Sequence, residues 1–217
     1  MNLDEGWMKL ADYLMPLPFC AVLRGIAPEE IAAIGGALAT TGFRILEVPL
    51  NSPRPFDSIR ALSDQFGSHC LVGAGTVIDP ADVARVAAAG GKLVVMPHAD
   101  TRVILEAKRQ GLVCVPGVAT PTEAFAALAA GADGLKMFPA EALPPAALKA
   151  WRAVLPKGTI VLAVGGMRPQ TLRAYWDAGA DGFGTGSNLY APGAPASVVA
   201  EAARAYRDAA RALPVRG

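Results

Sequence analysis

The sequence predicts an α/β fold, a (β/α)8 TIM barrel with an extra N-terminal helix. Short β-rich runs alternate with Ala- and Leu-rich segments along the chain, a pattern typical of parallel strands joined by helical crossovers. We count eight such runs, which is the number of strands that closes a barrel of this kind. The predicted strands are Phe19 to Leu23, Arg44 to Val48, Cys70 to Gly73, Lys92 to Met96, Leu112 to Val115, Gly134 to Met137, Ile160 to Val164 and Gly182 to Gly184.

The segments between these runs carry the start and stop signals of helices. Asp79-Pro80 and Thr120-Pro121 each open an amphipathic stretch, as N-terminal caps followed by proline commonly do. Glycines close several stretches, and residues 130–134 and 178–182 share the string Ala-Gly-Ala-Asp-Gly. The shared string indicates that a βα unit is repeated at these two places in the chain. Ahead of the first strand, Leu3 to Leu14 is expected to form the extra helix that closes the bottom of the barrel.

A doubly wound open sheet is the alternative fold. It usually has fewer units and one dominant Gly-rich turn after the first strand. Here that first turn is Arg24-Gly25-Ile26 and has no GxGxxG pattern, which favours the barrel. The chain of 217 residues is short for a barrel, so its loops must mostly be tight. We expect residues 1–217 to form a single domain.

Composition limits the classes of partner. The chain is 53% hydrophobic and 18% charged, with 20 Lys and Arg against 19 Asp and Glu and a formal net charge of +1. Such a charge balance produces no overall electrostatic attraction to nucleic acid or to an anionic membrane, so we expect neither as a partner. An anionic small molecule would have to be held by local groups.

Cysteine and histidine usage argues against disulfides and metals. Cys20, Cys70 and Cys114 lie in or beside apolar runs without a CxxC spacing, as core side chains of a reducing compartment do. His69 and His98 are far apart and have no local ligand cluster, so no metal site is predicted. The first twelve residues contain no apolar core of a signal peptide. We therefore expect a cytoplasmic protein.

Polar residues stand where the predicted strands end, and the C-terminal ends of the strands carry the active site of a barrel. Groups from separate strands should therefore converge on one mouth. They are Arg24, Glu47 with Asn51 and Ser52, Thr76, His98, Lys136, Gly165 with Gly166, and Ser187 with Asn188.

Lys136 and Glu47 are the candidate catalytic residues. Apolar surroundings disfavour the charged form of a lysine, and a neutral amine attacks ketones to form Schiff bases. Glu47 lies within an apolar strand, where a desolvated carboxylate can both donate and accept protons. The alternatives are that Lys136 reaches out to solvent, and that Glu47 is only an ion-pair partner of Arg24 or Lys136.

Glycine clusters follow the last two predicted strands, where barrels commonly bind phosphate. Gly165, Gly166 and Ser187 are predicted to hold a substrate phosphate, because glycines let backbone N–H groups approach its oxygens. Ordinary turn glycines are the alternative. The run 184–186 is not a dinucleotide motif, because Leu189 stands in place of the third glycine.

Four further residues are weaker candidates. Arg24 can form a forked contact with a carboxylate, and Thr76 offers a hydroxyl to the same anion or caps the following helix. Phe138 either packs in the core or forms one wall around a planar imine. His98 belongs to the mouth by position, and we expect a loop role rather than proton transfer.

Taken together, these residues resemble the class I 2-keto-3-deoxy-6-phosphosugar acid aldolases, the KDPG/KDPGal aldolase family. The most specific strings are Leu46-Glu47-Val48-Pro49-Leu50-Asn51-Ser52-Pro53, Gly73-Ala74-Gly75-Thr76-Val77 and Leu135-Lys136-Met137-Phe138-Pro139. The resemblance implies a Schiff base on Lys136, a proton shuttle at Glu47, and Arg24 and Thr76 near the substrate carboxylate. It also implies phosphate contacts at the glycine clusters, a homotrimer, and chemistry that needs neither metal nor cofactor.

Within this family the chain looks like the galactonate branch, which cleaves 2-dehydro-3-deoxy-6-phospho-D-galactonate to pyruvate and D-glyceraldehyde 3-phosphate. Gluconate-type members typically have Thr where this chain has Val164, and Leu-Arg-Thr where it has residues 50–52. Val164 lacks a hydroxyl that could bind the substrate, so it could bias recognition at C4, where the two sugar acids differ. Residues 96–99 depart from both branches.

Three other functions stay open on the sequence alone. The same chemistry could act on the gluconate epimer or on both epimers. A phosphosugar isomerase or epimerase could use Glu47 as a base without a covalent step. A non-catalytic phosphosugar-binding module would contain Lys136 and Glu47 only as an ion pair.

Overall fold

The computed structural model describes residues 9–15 and 17–215, and in them nine parallel strands form one nearly closed barrel. The strands lie in the order β5-β4-β3-β2-β1-β9-β8-β7-β6. Each strand pairs in parallel with its neighbours, which requires the helical crossovers that the sequence predicts. The strands are β1 Phe19–Val22, β2 Ile45–Pro49, β3 Leu71–Gly75, β4 Leu93–Val95, β5 Val113–Val115, β6 Gly117–Val118, β7 Leu135–Met137, β8 Val161–Val164 and β9 Gly182–Thr185.

The fifth barrel strand is divided between two neighbours. Its first half, β5, pairs with β4, and its second half, β6, pairs with β7. Pro116 separates the halves and has no N–H to give to a ladder, although its carbonyl accepts from Lys136 N at 2.8 Å. All eight predicted strands are therefore present. The predicted fifth strand was too short, because it ended at Val115.

Helices join all successive strands except β5 and β6, and they surround the barrel. Asp79 caps its helix by accepting a hydrogen bond from Ala81 N at 2.9 Å, and Thr120 with Glu123 forms a capping box, as their sequence signals indicate. Two short 3-10 helices, Pro28–Glu30 and Ala140–Ala142, add to them. The α-helices are α1 Leu10–Tyr13, α2 Ile31–Thr41, α3 Pro55–Phe66, α4 Pro80–Ala88, α5 Thr101–Arg109, α6 Pro121–Ala129, α7 Pro145–Arg152, α8 Leu172–Asp177 and α9 Ala196–Arg211.

Two hydrophobic clusters follow from the alternation of side chains along each strand. A large outer cluster lies between the barrel and its helices. A smaller inner cluster fills the lower barrel with Cys20, Ile45, Leu71, Leu93 and Leu162, among others.

The short helix α1 closes the lower end of the barrel. Leu10 and Leu14 are 3% and 5% exposed and belong to the inner cluster. The rest of the predicted helix, residues 3–8, lies outside the described residues.

The repeated Ala-Gly-Ala-Asp-Gly string has one structural role at both of its positions. Asp133 accepts from Cys114 N at 2.8 Å and pairs with Lys108. Asp181 accepts from Val161 N at 2.8 Å and pairs with Arg152. Each aspartate therefore ties the start of its own strand to the neighbouring strand. Among the described residues, no helix is both long and apolar enough to cross a membrane.

Candidate active site

The upper half of the barrel interior is polar. On β7, Leu135 and Met137 face the outer cluster, so Lys136 between them points into the barrel. On β2, Leu46 and Val48 face outward in the same way, and Glu47 points inward. Lys136 is 7% exposed and Glu47 is 2% exposed. Two ionisable side chains are thus buried in one interior, as the sequence predicts.

The Glu47 carboxylate occupies space that a glycine leaves free on the neighbouring strand. β2 and β3 pair in register, with Glu47 opposite Gly73 and Pro49 opposite Gly75. A Cβ atom added to Gly75 would overlap the Glu47 carboxylate. Gly75 is therefore required for the observed position of this carboxylate, a requirement that the sequence alone does not reveal.

Burial raises the pKa of Glu47 from its ordinary 4.5 to about 7, although Lys136 and then Arg24 oppose the shift by favouring the charged form. Its Oε2 atom is buried and has no hydrogen-bond partner among the described residues. A carboxyl group with this pKa exchanges its proton readily near neutral pH, which suits a general acid and base.

Lys136 is close to Glu47 without being fixed to it. Within the described part of the chain, no ion pair of 4.0 Å or less joins the Lys136 amine to Glu47 or to another carboxylate. The Nζ atom lies 4.6 Å from the centroid of the Phe138 ring and faces the cavity. The predicted alternatives, a solvent-reaching lysine and a structural ion pair, do not match this geometry.

Arg24 is held by neutral partners. Its Nη1 donates to Asn51 Oδ1 at 2.7 Å, and its Nη2 lies 3.4 Å from Thr76 Oγ1. The alternative partner from the sequence, Glu47, forms no ion pair with it. An exposed guanidinium held by two neutral groups keeps its charge available for an anion at the mouth.

Thr76 has an unusual backbone conformation. Its φ angle is +55°, in the left-handed region that β-branched residues rarely adopt. Such strain concentrates at functional sites, where the surrounding structure enforces it. The Thr76 hydroxyl contacts Arg24 from this backbone conformation, which no feature of the sequence predicts.

A cavity of about 570 Å³ opens between the ends of β1, β7, β8 and β9. Its wall includes the predicted residues Arg24, Lys136, Phe138 and Val164, and Val164 is 9% exposed. Thr76 reaches it only through Arg24, and His98 is exposed and does not line it. The full lining comprises Val22, Arg24, Gly25, Lys136, Phe138, Glu141, Val164, Gly165, Gly166, Met167, Gly184, Gly186, Ser187, Asn188, Tyr190, Ala191 and Pro192.

The predicted phosphate residues form one end of this cavity. Gly165 and Gly166 have φ angles of +110° and +64°, so both positions need glycine. In the described structure, the backbone N–H groups of Gly165, Gly166 and Ser187 donate to no protein acceptor. Asn188 Nδ2 donates to the Met167 carbonyl at 3.2 Å and joins the two loops. The result is a cluster of free donors suited to an anion.

Sequence reasoning missed two parts of this site. Glu141 lines the cavity beside the glycine pair. Glu30 holds the cavity rim, because its Oε1 accepts from Tyr190 Oη and from Gly193 N, each at 3.0 Å. These contacts join loops that are distant in sequence, so no local pattern signals them. No group of three or more possible metal ligands occurs among the described residues.

The fold and site define a class of protein: a parallel barrel whose interior holds a buried lysine, which faces a cavity with free backbone donors, and a buried carboxylate of raised pKa. Comparison with known proteins identifies the family. Residues 11–198 match the model of the KDPG and KHG aldolase family. The chain is 48% identical to the probable 2-dehydro-3-deoxy-6-phosphogalactonate aldolase of Rhizobium meliloti (strain 1021), over 87% of this chain and 89% of that protein.

Two further relatives agree. The 2-dehydro-3-deoxy-6-phosphogalactonate aldolase of Escherichia coli (strain K12) is 46% identical over 89% of this chain and 96% of that protein. A solved structure described as native KDPGal superposes with a TM-score of 0.89 at 45% identity, covering 90% of this chain and 95% of that chain. The protein belongs to the KDPG and KHG aldolase family. The expected barrel and the expected aldolase, a lyase, are both confirmed.

Proposed function

We propose that this protein is a class I aldolase that cleaves 2-dehydro-3-deoxy-6-phospho-D-galactonate to pyruvate and D-glyceraldehyde 3-phosphate. The observation that carries the proposal is the buried Lys136 amine beside Glu47, whose pKa is raised to about 7. The galactonate substrate is taken from the names of the relatives that are 46–48% identical to this chain.

Schiff-base formation is the first stage. The Lys136 amine attacks the C2 ketone of the substrate and gives a carbinolamine. Glu47 transfers a proton to the carbinolamine hydroxyl, which leaves as water, and an iminium ion remains. The pKa of about 7 lets Glu47 donate this proton and become a base for the next stage.

Carbon–carbon cleavage is the second stage. Glu47 removes the proton of the C4 hydroxyl, directly or through one water, as the C3–C4 bond breaks. The bonding electrons move onto the iminium, which becomes an enamine, and D-glyceraldehyde 3-phosphate leaves. Protonation at C3 and hydrolysis of the imine then release pyruvate and restore the Lys136 amine. The iminium is the electron sink, so this route requires no metal or cofactor.

The remaining site residues would bind the two ends of the substrate. Arg24, with Thr76, would receive the carboxylate. Phe138 would form one wall around the planar imine, as its ring lies 4.6 Å from the Lys136 amine. Gly165, Gly166 and Ser187 would hold the phosphate through their free N–H groups.

Borohydride trapping tests the covalent step. Pyruvate and borohydride should yield a reduced, stable adduct on Lys136 that mass spectrometry of peptides can locate. Lys136→Arg should abolish both the adduct and cleavage, whereas Lys149→Arg, at an exposed lysine on α7, should change neither. Absence of the adduct would remove Lys136 from the mechanism. Retained activity in Lys136→Arg would favour an isomerase or epimerase, and binding without turnover a non-catalytic module.

Val164 is the proposed determinant of the C4 epimer. Its side chain is on the cavity wall next to Gly165 and offers no hydrogen bond. We expect kcat/KM to favour the galactonate epimer over the gluconate epimer, and Val164→Thr to reduce that preference roughly tenfold. Steady-state kinetics with each epimer measure this preference. Equal kcat/KM values for the two epimers in the unchanged protein would contradict this role.

We further propose that residues 1–217 act as one domain, that the protein is cytoplasmic and that it is a homotrimer. A barrel to which every described strand contributes supports the single domain, the family resemblance supports the homotrimer, and three free, buried cysteines among the described residues support the cytoplasm. Sedimentation equilibrium would measure the molecular mass of the assembly.

A further inference from the structure

Glu141 places a carboxylate against the glycine pair that is proposed to bind phosphate. A Cβ atom added to Gly165 would lie 2.5 Å from Glu141 Oε2, and one added to Gly166 would lie 2.9 Å from it. Glu141 also lines the cavity itself. The side chain therefore occupies space beside the free N–H donors of the loop that follows β8.

The Glu141 carboxylate has no cationic partner in the described part of the chain. Within the described residues, Glu141 forms no ion pair and no hydrogen bond, and it is exposed to solvent at the cavity mouth. A negative charge with no counter-ion, placed where a phosphate dianion is to bind, opposes that binding. A residue serving only to bind phosphate would have the opposite charge.

Hydrogen bonds hold the backbone on both sides of Glu141, so its side chain is the part that is free to turn away. The Tyr175 hydroxyl donates its one proton to the Ala140 carbonyl at 2.7 Å and shares it with the Leu143 carbonyl at 3.2 Å, on either side of Glu141. These bonds join the 3-10 helix Ala140–Ala142 to α8. An anion that enters the glycine loop must therefore displace the Glu141 side chain or tolerate its charge.

We propose that Glu141 is a specificity residue that excludes free phosphate and similar small anions from the phosphate end of the site. This inference rests on the proposed function, because it takes the glycine pair as the site of the substrate phosphate. The substrate can overcome the repulsion because the contacts of its keto acid end hold its phosphate at a high effective concentration near the loop. Free phosphate has no such second attachment.

The inference predicts an unusual gain of binding on mutation. Glu141→Gln keeps the size of the side chain and removes its charge. Inorganic phosphate should then bind roughly five- to tenfold more tightly, as expected for the loss of one like charge that solvent partly screens. Isothermal titration with inorganic phosphate measures this, and phosphate should also become a stronger competitive inhibitor of cleavage.

Glu201→Gln is the matched control, because it makes the same change of charge at an exposed position on α9. It should bind phosphate as the unchanged protein does. Equal or weaker phosphate binding in Glu141→Gln would overturn the inference. So would failure of both proteins to bind phosphate, since there would be no site to protect.

A separate readout distinguishes failure of the proposed function. Pyruvate carries no phosphate, so borohydride trapping of pyruvate on Lys136 should be equal in Glu141→Gln and the unchanged protein. Loss of trapping in the unchanged protein would count against the aldolase, while the phosphate titration would still decide the role of Glu141. Unequal trapping in the two proteins would show that Glu141 acts on the reacting end, and would overturn the inference.

Discussion

At the scale of single residues, the chemistry of the site depends on burial. Glu47 is 2% exposed and Lys136 is 7% exposed, and the barrel interior deprives both of water. The charged form of Glu47 is disfavoured enough to bring its pKa to about 7 in spite of two nearby cations. The burial that would suit Glu47 to the proposed proton transfer therefore also makes its charged form costly to stability.

Glu47→Gln should lower activity and increase stability above neutral pH. We expect kcat to fall by roughly 10²- to 10⁴-fold, the usual contribution of a general acid–base group. Because the folded pKa of about 7 exceeds the ordinary 4.5, the stabilising contribution of Glu47 is complete below pH 4.5 and is lost as pH rises through 7. Gln does not ionise, so the Glu47→Gln variant should not lose this stability as pH rises.

Urea unfolding at pH 4.5 and pH 8 measures this difference. Relative to the unchanged protein, the free energy of unfolding of Glu47→Gln should improve by up to about 3 kcal/mol between these two pH values. Glu201→Gln, which changes an exposed carboxylate, should show no such trend. A variant as active as the unchanged protein would exclude Glu47 from the mechanism.

At the scale of elements, the loops after the strands are held by a few long-range hydrogen bonds. Glu30, at the end of its 3-10 helix, receives bonds from Ala27 N, Tyr190 Oη and Gly193 N. It thereby joins the loop after β1 to the loop after β9. Tyr190 through Pro192 lie in that second loop and line the cavity. This one carboxylate therefore links two loops at the cavity rim.

Glu30→Gln should loosen the rim without removing catalytic groups. One amide nitrogen replaces an accepting oxygen, so at least one of the three bonds is lost. We expect KM for the phosphorylated substrate to rise roughly three- to tenfold while kcat changes less than twofold. Steady-state kinetics measure both constants. Glu29→Gln, at the neighbouring exposed carboxylate, is the matched control, and a similar rise in its KM would contradict the prediction.

The helix and strand pattern was largely predictable at this scale, but the loops were not. Apolar runs and helix signals are local, so they locate eight strands, and the barrel then brings Lys136 and Glu47 together. The strained φ angle of Thr76, the position of Glu141 beside Gly165 and the Glu30 contacts depend on loops far apart in sequence. Local patterns carry no information about such contacts. For the same reason, the break of the fifth strand at Pro116 was predicted only as a strand end.

At the scale of the whole molecule, the barrel has an apolar lower half and a polar upper half. The inner cluster fills the bottom, and α1 covers it with Leu10 and Leu14. A Cβ atom on Gly182 would lie 3.0 Å from Leu14 Cδ2, so the fit between helix and strand is close. Apolar side chains such as Ile45 therefore lie below Glu47 in the same barrel interior.

Leu14→Ala should destabilise the protein by about 2–5 kcal/mol, because it leaves a void in the floor that the barrel cannot collapse to fill. Urea unfolding measures the loss. Val198→Ala, at an exposed position on α9, should cost less than about 1 kcal/mol. A loss for Leu14→Ala as small as that of the control would show that α1 does not close the barrel.

Gly75 has a consequence for the construction of similar sites. The Glu47 carboxylate fits only because the neighbouring strand presents no side chain at that height. Transplanting a lysine and a glutamate into another barrel would therefore fail wherever the adjacent strand has even an alanine there. A search for scaffolds able to perform imine chemistry should therefore specify three positions: the lysine, the glutamate, and a glycine on the strand beside the glutamate.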